Sequence, residues 1–555
     1  MRLFLREYLA LLREDGELES IIVELVTSMG MDVRTTPQKG VKQDGVDVHA
    51  VGVDPEDGVK KNFLITIKKG DIDRTIWDTP KVGVRASLNE IVDVYINNKI
   101  GKSDQKFPVK IILCCGGELK QESKGNWDGY PKHNRYQDYE FNLWNGSSIS
   151  NDILKFLLNE NIFFEDARNK MRRTLVVLSD INYDLYHFKS MINDLFFNED
   201  WQKLKAKKLE KSALKVFCIT QLCLSMIYEY SKENKNLLKP LIAAEYCLLK
   251  CWHFIQYHQL EKNRKIVSKH SEIFKLYHQY LSEYFNKVSD HCFVKNGLTI
   301  SCYERVAASE VVFKQIGWLS TLGLIQYSSS EVNPIIVDTL MALINNHTIS
   351  GSPAYDNLTI EICLAVFFLA LSGKHEFIKK WFNELLMRFN FSYAYGKGFP
   401  ISNDTIDTLI EFEYENKFSK EDLVLTSSLL PTLAYWCAIL DFPDVYSNLI
   451  AFVETNLPKC CLQLWFPAKG IKQRLFYSYV GNEFGIVEAP ILLPKTLDKL
   501  RDKLKKFLIS AKSGNDFETE WQDLTVIFSI IASKHFRTPV NPFLWLNRIL
   551  NWSDR

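Results

Sequence analysis

Between residues 17 and 145 the apolar positions switch between helical and strand spacing, with Gly and Pro marking the changes. Leu18, Ile21, Ile22, Leu25 and Met29 recur every three or four residues, which predicts a helix over Glu17–Met29. Met31 to Thr35 alternates as a strand. Gly45–Val53 and Lys61–Lys68 predict two more, joined by the acidic turn Asp54-Pro55-Glu56-Asp57-Gly58. Arg85–Asn97 carries Leu88, Ile91, Val92 and Tyr95 on one side, an amphipathic helix. Val109–Cys114 reads as a buried strand, Tyr139–Trp144 as another strand, and Ile149–Leu158 as a helix. The core order is helix, strand, strand, strand, helix, strand, which predicts an α/β layer with a mixed sheet.

After about residue 170 the pattern is almost wholly helical. Phe274, Tyr277, Leu281 and Tyr284 keep a 3.6 period, and Ser419-Lys420-Glu421-Asp422 ahead of Leu423 has the form of a capping box. Turn residues interrupt the pattern at Ser350-Gly351-Ser352-Pro353 and between Pro490 and Pro494. No fixed-period repeat aligns. The expected organisation is an α/β domain over 1–170 and a large all-α region over 171–555, as one lobe or as two with a break near 350 or 395.

Composition narrows the class. The chain has 555 residues, 46% hydrophobic and 24% charged, which is globular and allows two to four domains. A net charge of +1 excludes a uniformly basic coat and leaves room for a local basic groove. Arg2, Arg6, Glu7 and Arg13 interrupt any apolar export signal, and the run Ile362–Leu371 is shorter than the about 20 residues of a membrane span. A cytoplasmic protein with reduced thiols and no membrane contact is expected. The 12 cysteines show no CxxC spacing; Cys247 and Cys251, four apart with His258 nearby, read as buried thiols on an apolar helix.

The chemistry concentrates in the hairpin. On a strand, Asp47 and His49 share one face, as do Thr66 and Lys68 on the next strand. A register that joins those faces brings Asp47 and Lys68 together. A carboxylate beside an open, oxygen-rich position suits magnesium. A neighbouring lysine can then orient a metal-bound water or offset charge on a phosphate under attack.

This arrangement resembles the PD-(D/E)XK nuclease superfamily, and within it the Mrr-like and RecB-like enzymes. Asp47 matches the family's strand Asp, Ile67 its free position and Lys68 its Lys. Gly45-Val46-Asp47-Val48-His49-Ala50 also looks like the Gly-Ile-Asp-x-x-Ala run of Mrr-like domains. The resemblance spans about residues 15–160. It implies a Glu on the early helix, which nominates Glu19, and a Mg2+ or Mn2+ ion held by Asp47, Glu19 and the Ile67 backbone carbonyl. Thr66 stands where the family has Glu or Gln. Three readings follow: the Thr66 hydroxyl and Ile67 carbonyl suffice with water; the carboxylate has moved to Glu90 or Asp71; or cleavage is lost. Each residue also has a plain alternative: an edge-strand Asp47, a solvated strand end at Lys68-Lys69, an ordinary helix-surface Glu19, and a surface His49 rather than one touching phosphate.

For nucleic acid, Lys39, Lys42, Lys69 and Arg74 lie nearest the site in sequence. Lys203, Lys205, Lys207, Lys208, Lys211 and Lys215, and the group Lys499, Arg501, Lys503, Lys505 and Lys506, read as solvated helix faces. Gly101-Lys102-Ser103 lacks the first Gly of a P-loop, Gly116-Gly117 reads as a strand exit, and neither His-Glu-x-x-His nor Gly-x-Ser-x-Gly occurs. The layout looks like effector nucleases of bacterial anti-phage defence systems. The resemblance therefore implies a metal-dependent DNA endonuclease, RNA being the other substrate in view. The expected assembly is a homo-oligomer or a complex with partner subunits, including a separate ATPase or sensor, since the chain has no ATPase motif. The rival expectation is an inactive nuclease fold that binds nucleic acid or protein.

Overall fold

In a computed structural model the chain is described over residues 2–36, 43–80, 82–133, 139–157, 165–302, 304–327, 332–395, 424–466, 486–488, 490–513 and 523–537. The segments with two-residue periods join into one five-stranded sheet in the order β1-β2-β3-β4-β5, formed by Asp32–Thr35, Val48–Val53, Lys60–Lys68, Val109–Cys115 and Glu140–Trp144. β1, β2 and β3 are antiparallel neighbours, with Val48 facing Ile65 and Ala50 facing Phe63. β3, β4 and β5 run parallel, with Ile65 facing Ile112 and Ile111 facing Phe141. The central strands β3 and β4 are buried almost throughout, which is why residues 63–67 and 111–115 at their centres are nearly all apolar.

The expected amphipathic helix covers one face as α4 (Val84–Glu90), continued by a wider turn Ile91–Tyr95 and by α5 (Ile96–Asn98). Its Val84, Leu88, Ile91 and Tyr95 pack with Leu64, Ile111 and Leu113. Three further helices form where the pattern predicted no element: α1 (Arg2–Leu11), α3 (Arg74–Asp78) and α6 (Gln121–His133). The expected helix Glu17–Met29 is α2, Glu19–Ser28, behind a kinked turn in which Asp15 is extended and Gly16 left-handed (φ 74°). α7 (Gly146–Asp152) starts on Asn145, whose side chain accepts the Ser148 N–H at 2.9 Å.

β2 begins three residues later than the pattern predicted, because Gly45 turns the chain. Gly45 has a φ of 81°, a conformation only glycine adopts freely, and a Cβ there would lie 2.2 Å from the Ser87 carbonyl oxygen of α4. The glycine sets both the turn into β2 and the close seating of α4.

The chain forms two compact units, residues 1–243 with 260–273, and residues 244–259 with 274–555. The change of pattern at residue 170 falls inside the first. That unit adds α8 (Glu165–Val177), α9 (Tyr186–Phe196) and α10 (Ala206–Glu233) to the sheet domain. Among the described residues α10 alone is long and apolar enough to cross a membrane, and 72% of its apolar window is buried within the fold. The second unit is largely helical, with two short strand pairs, Thr426–Ser427 with Cys461–Leu462 and Leu464–Phe466 with Ile486–Glu488, that the all-α expectation did not include. The apolar run at 362–371 lies in its buried core helix Thr359–Leu371. The same unit buries Glu245, which accepts hydrogen bonds from Tyr277 Oη, Lys534 Nζ and His535 Nδ1 at 2.7–2.8 Å. Burial works to raise its pKa, but Lys534 and His535 outweigh that and hold it at about 2. The capping-box residues Ser419–Asp422 lie outside the described residues. No disulfide joins the 12 cysteines, and Cys247 and Cys251 are buried.

Candidate functional site

Beyond the Val48–Ile65 pair the ladder between β2 and β3 opens, and Asp47 bridges the opening. Its backbone N–H donates to the Ile65 carbonyl at 2.9 Å, and its Oδ2 accepts the Ile67 N–H at 2.6 Å. Thr66 stands one residue past that pair on β3, and Lys68, on the same face as Thr66, ends the strand. The charged groups that act most strongly on Asp47 are Lys68, Glu14 and Glu19. The fold thus gathers Asp47, Lys68 and Glu19, and adds Glu14, which the sequence reading did not nominate.

Glu14 and Glu19 arrive on the kinked turn before α2. Glu14 Oε1 lies 3.5 Å from Lys68 Nζ, and its Oε2 accepts the Lys69 N–H at 3.3 Å. Glu19 opens α2 and accepts the Gly16 N–H at 2.9 Å, a carboxylate at a helix N-terminus. The Gly two residues after Glu14 marks a break before α2, but nothing in the sequence says which way that carboxylate points.

Burial is the largest influence on Asp47 and pushes its pKa up to about 6; the Ile67 N–H and Lys68 oppose the rise, while Glu14 and Glu19 add to it. A carboxyl in that range holds or releases a proton near neutrality according to what approaches it. Asp47 Oδ1 has no hydrogen-bond partner among the described residues. Thr66 Oγ1 is fully buried and also unpartnered. A carboxylate oxygen with no protein partner among the described residues and a buried hydroxyl are oxygen ligands of the kind a hard divalent cation such as Mg2+ or Mn2+ takes.

A tighter carboxylate group lies at the other end of the sheet. Among the described residues Asp54, Asp57 and Glu140 form the one trio whose ligand atoms lie within 4.8 Å of one another. Lys61 fills it: its ammonium contacts Asp54 at 3.0 Å, Asp57 at 2.5 Å and Glu140 at 2.6 Å. Lys110 adds contacts of 2.8 Å to Asp54 and 2.5 Å to Glu56. The place a metal would take is held by two protein cations.

Several expectations are corrected. His49 is neither a surface residue nor a phosphate contact: it is 2% exposed, with Nε2 3.0 Å from Asn62 Oδ1 and Nδ1 3.4 Å from Tyr95 Oη. Burial lowers its pKa. Asp71 does not supply the missing ligand, because it accepts the Glu118 N–H at 2.8 Å and pairs with Lys120 at 2.7 Å. Burial opposes its charge, yet those two partners outweigh it and lower its pKa. Glu90 ends α4, and it is not among the groups acting most strongly on Asp47. Ile67 meets Asp47 through its N–H, while in register it pairs with Cys114 of β4.

Lys69 and Arg74 are exposed; Lys39 and Lys42 lie outside the described residues. Gly116 and Gly117 serve packing: a Cβ on Gly116 would lie 2.4 Å from the Leu9 carbonyl oxygen, and one on Gly117 2.3 Å from Asp71 Oδ1. Of the first basic run, Lys203, Lys205, Lys207, Lys208 and Lys211 are exposed, while Lys215 turns inward to pair with Glu17 at 2.8 Å. In the second run Arg501 donates to the Ala438 carbonyl and pairs with Asp441, both at 2.8 Å. No family model, curated protein or solved structure matches the chain.

Proposed function

We propose that the first unit is a metal-dependent endonuclease that hydrolyses phosphodiester bonds of DNA at the Asp47 site. The observation that carries the reading is the bridge itself. A half-buried carboxylate, its pKa raised to about 6, spans two parting strands within electrostatic reach of a lysine and two further carboxylates. A structural aspartate has little reason to be left half-satisfied in such a place.

In this reading Asp47 and Glu19 hold Mg2+ or Mn2+, with Glu14, the Thr66 hydroxyl and the Ile67 carbonyl as the remaining protein donors on hand. The ion supplies Lewis-acid stabilisation of the phosphate and a more acidic water. A cation bound there would favour the Asp47 carboxylate, opposing the rise in pKa that burial causes. Lys68 orients the attacking water and offsets the charge that grows on the phosphate. The exposed Lys69 and Arg74 contact the nucleic-acid backbone on either side. The protein acts as the effector of a bacterial anti-phage defence complex, governed through its helical region by self-assembly or by a partner ATPase or sensor.

One observation favours a second reading, an inactive fold that binds nucleic acid or protein. Thr66 replaces the expected acid or amide, and Lys68 already has Glu14 as its partner. The deciding experiment incubates purified protein with Mg2+ or Mn2+ and either supercoiled plasmid or single-stranded RNA, beside Asp47→Ala and Lys68→Ala. The nuclease reading expects nicking that falls by about 100-fold or more in both variants. Equal nicking by all three proteins would sink it; if wild type alone binds but does not cut, the same comparison with the proteins of its genomic neighbours present decides, and a substrate still bound but never cut establishes the second reading.

A further inference from the structure

Glu14 and Glu19 reach the site on a turn that has little backbone structure of its own, since Asp15 is extended and Gly16 left-handed. Glu17 anchors that turn. Its carboxylate is 8% exposed; Oε2 accepts the Arg13 N–H at 2.9 Å, and Oε1 lies 2.8 Å from both Arg13 Nε and Lys215 Nζ. The Arg13 side chain is 73% exposed and its charge is screened by water, whereas Lys215 is 18% exposed. The enclosed half of the anchor therefore comes from α10, about 200 residues along the chain and outside the sheet domain.

The grip is repeated beside it. Glu7 of α1 pairs with Lys269, which also contacts Glu272 at 3.0 Å. Tyr8 is fully buried, with Glu17, Cys218 and Cys223 in its electrostatic surroundings, and α1 packs along α10. At its other end α1 is seated on the sheet, where Gly116 lets the Leu9 carbonyl approach. α10 thus holds Glu17, and Glu14, three residues earlier on the same turn, pairs with Lys68.

We propose that Lys215 is a positioning residue for the Asp47 site: its ion pair with Glu17 holds the turn that presents Glu14 and Glu19. The proposal rests on the reading of that site given above. If α10 shifts and the pair parts, Glu17 is left as a buried, half-paired carboxylate, a state relieved by swinging out to water about the Asp15-Gly16 hinge. Glu14 and Glu19 leave with it. α10 thereby acts on the site through the Lys215–Glu17 pair.

The test uses the full chain and reads Mn2+ binding by electron paramagnetic resonance, alongside amide hydrogen exchange at Gly16 and Lys69, whose N–H groups donate to Glu19 and Glu14. Lys215→Met is expected to weaken Mn2+ binding by about tenfold, the scale of losing a residue that orients a ligand, and to speed exchange at both amides. Lys215→Arg restores both, and Lys215→Met combined with Glu17→Gln, which removes both charges, recovers most of the binding. Wild-type affinity and exchange in Lys215→Met overturn the positioning role, while loss of binding in Asp47→Asn in the same series leaves the site reading standing. Wild-type Mn2+ affinity in Asp47→Asn overturns the site reading as well. Should Lys215→Met not fold, Lys215→Gln takes its place: weakened Mn2+ binding with faster exchange at both amides supports the proposal, and wild-type values for both overturn it.

Discussion

β3 carries a lysine near each end, and the fold treats the two in opposite ways. Lys61 is 2% exposed, and three carboxylates share its ammonium while Lys110 supplies a second charge to Asp54. Lys68 has one partner, Glu14 at 3.5 Å, and beside it stand a half-satisfied Asp47 and an unpartnered Thr66 hydroxyl. Both ends use the same residue types on the same strand. The difference is saturation: a cluster whose charges are all answered ties strands together, and a cluster left short keeps capacity for a ligand. By spacing alone the Asp54 group is the better metal site, yet its cation is already built into the chain.

The largest expected effect breaks the closed end. Lys61→Met leaves buried Asp54 and its neighbours short of one cation, and urea unfolding should show a loss of about 3–5 kcal/mol. A loss under about 1 kcal/mol, the scale of an exposed pair, would mean the two ends do not differ in this way. At the open end the sign reverses. Asp47 has a folded-state pKa near 6, above its unfolded value, so the folded state binds the extra proton between about pH 4 and 6. Stability from this group is present at low pH and is lost as pH rises through that window. Asp47→Asn should therefore abolish metal binding while raising stability at pH 7–8 by about 2 kcal/mol, with a flatter profile between pH 4 and 6. An unchanged profile would show that the acid titrates normally. The smallest effect sharpens the contrast: Thr66→Val removes a buried hydroxyl without a partner and should stabilise by about 1 kcal/mol, whereas destabilisation in thermal melts would reveal a bond to that hydroxyl.

The strands were legible because burial on both faces leaves the centres of β3 and β4 mostly apolar, interrupted in β3 by Thr66, and the short acidic turn sets how Asp47 and Lys68 approach. Glu14 was not legible as a site residue, since its direction depends on the backbone of Asp15 and Gly16. His49 was misread because its partners, Asn62 and Tyr95, come from another strand and from the helical segment over the sheet. The Lys61–Glu140 contact joins residues 79 apart, beyond any local pattern. α6 contains Gly125, Gly129 and Pro131, poor helix formers whose helix is settled by tertiary packing rather than by propensity.

Gly45 and Asp47 stand two residues apart and answer to separate constraints. The glycine is fixed by a left-handed turn and by the Ser87 carbonyl above it, neither of which involves catalysis. Inheritance should treat the pair unequally. On the reading proposed for the Asp47 site, a descendant that does not cut nucleic acid is free to replace the aspartate, but replacing the glycine displaces α4 and costs the fold. Retained glycine then records ancestry, and retained aspartate records the reaction.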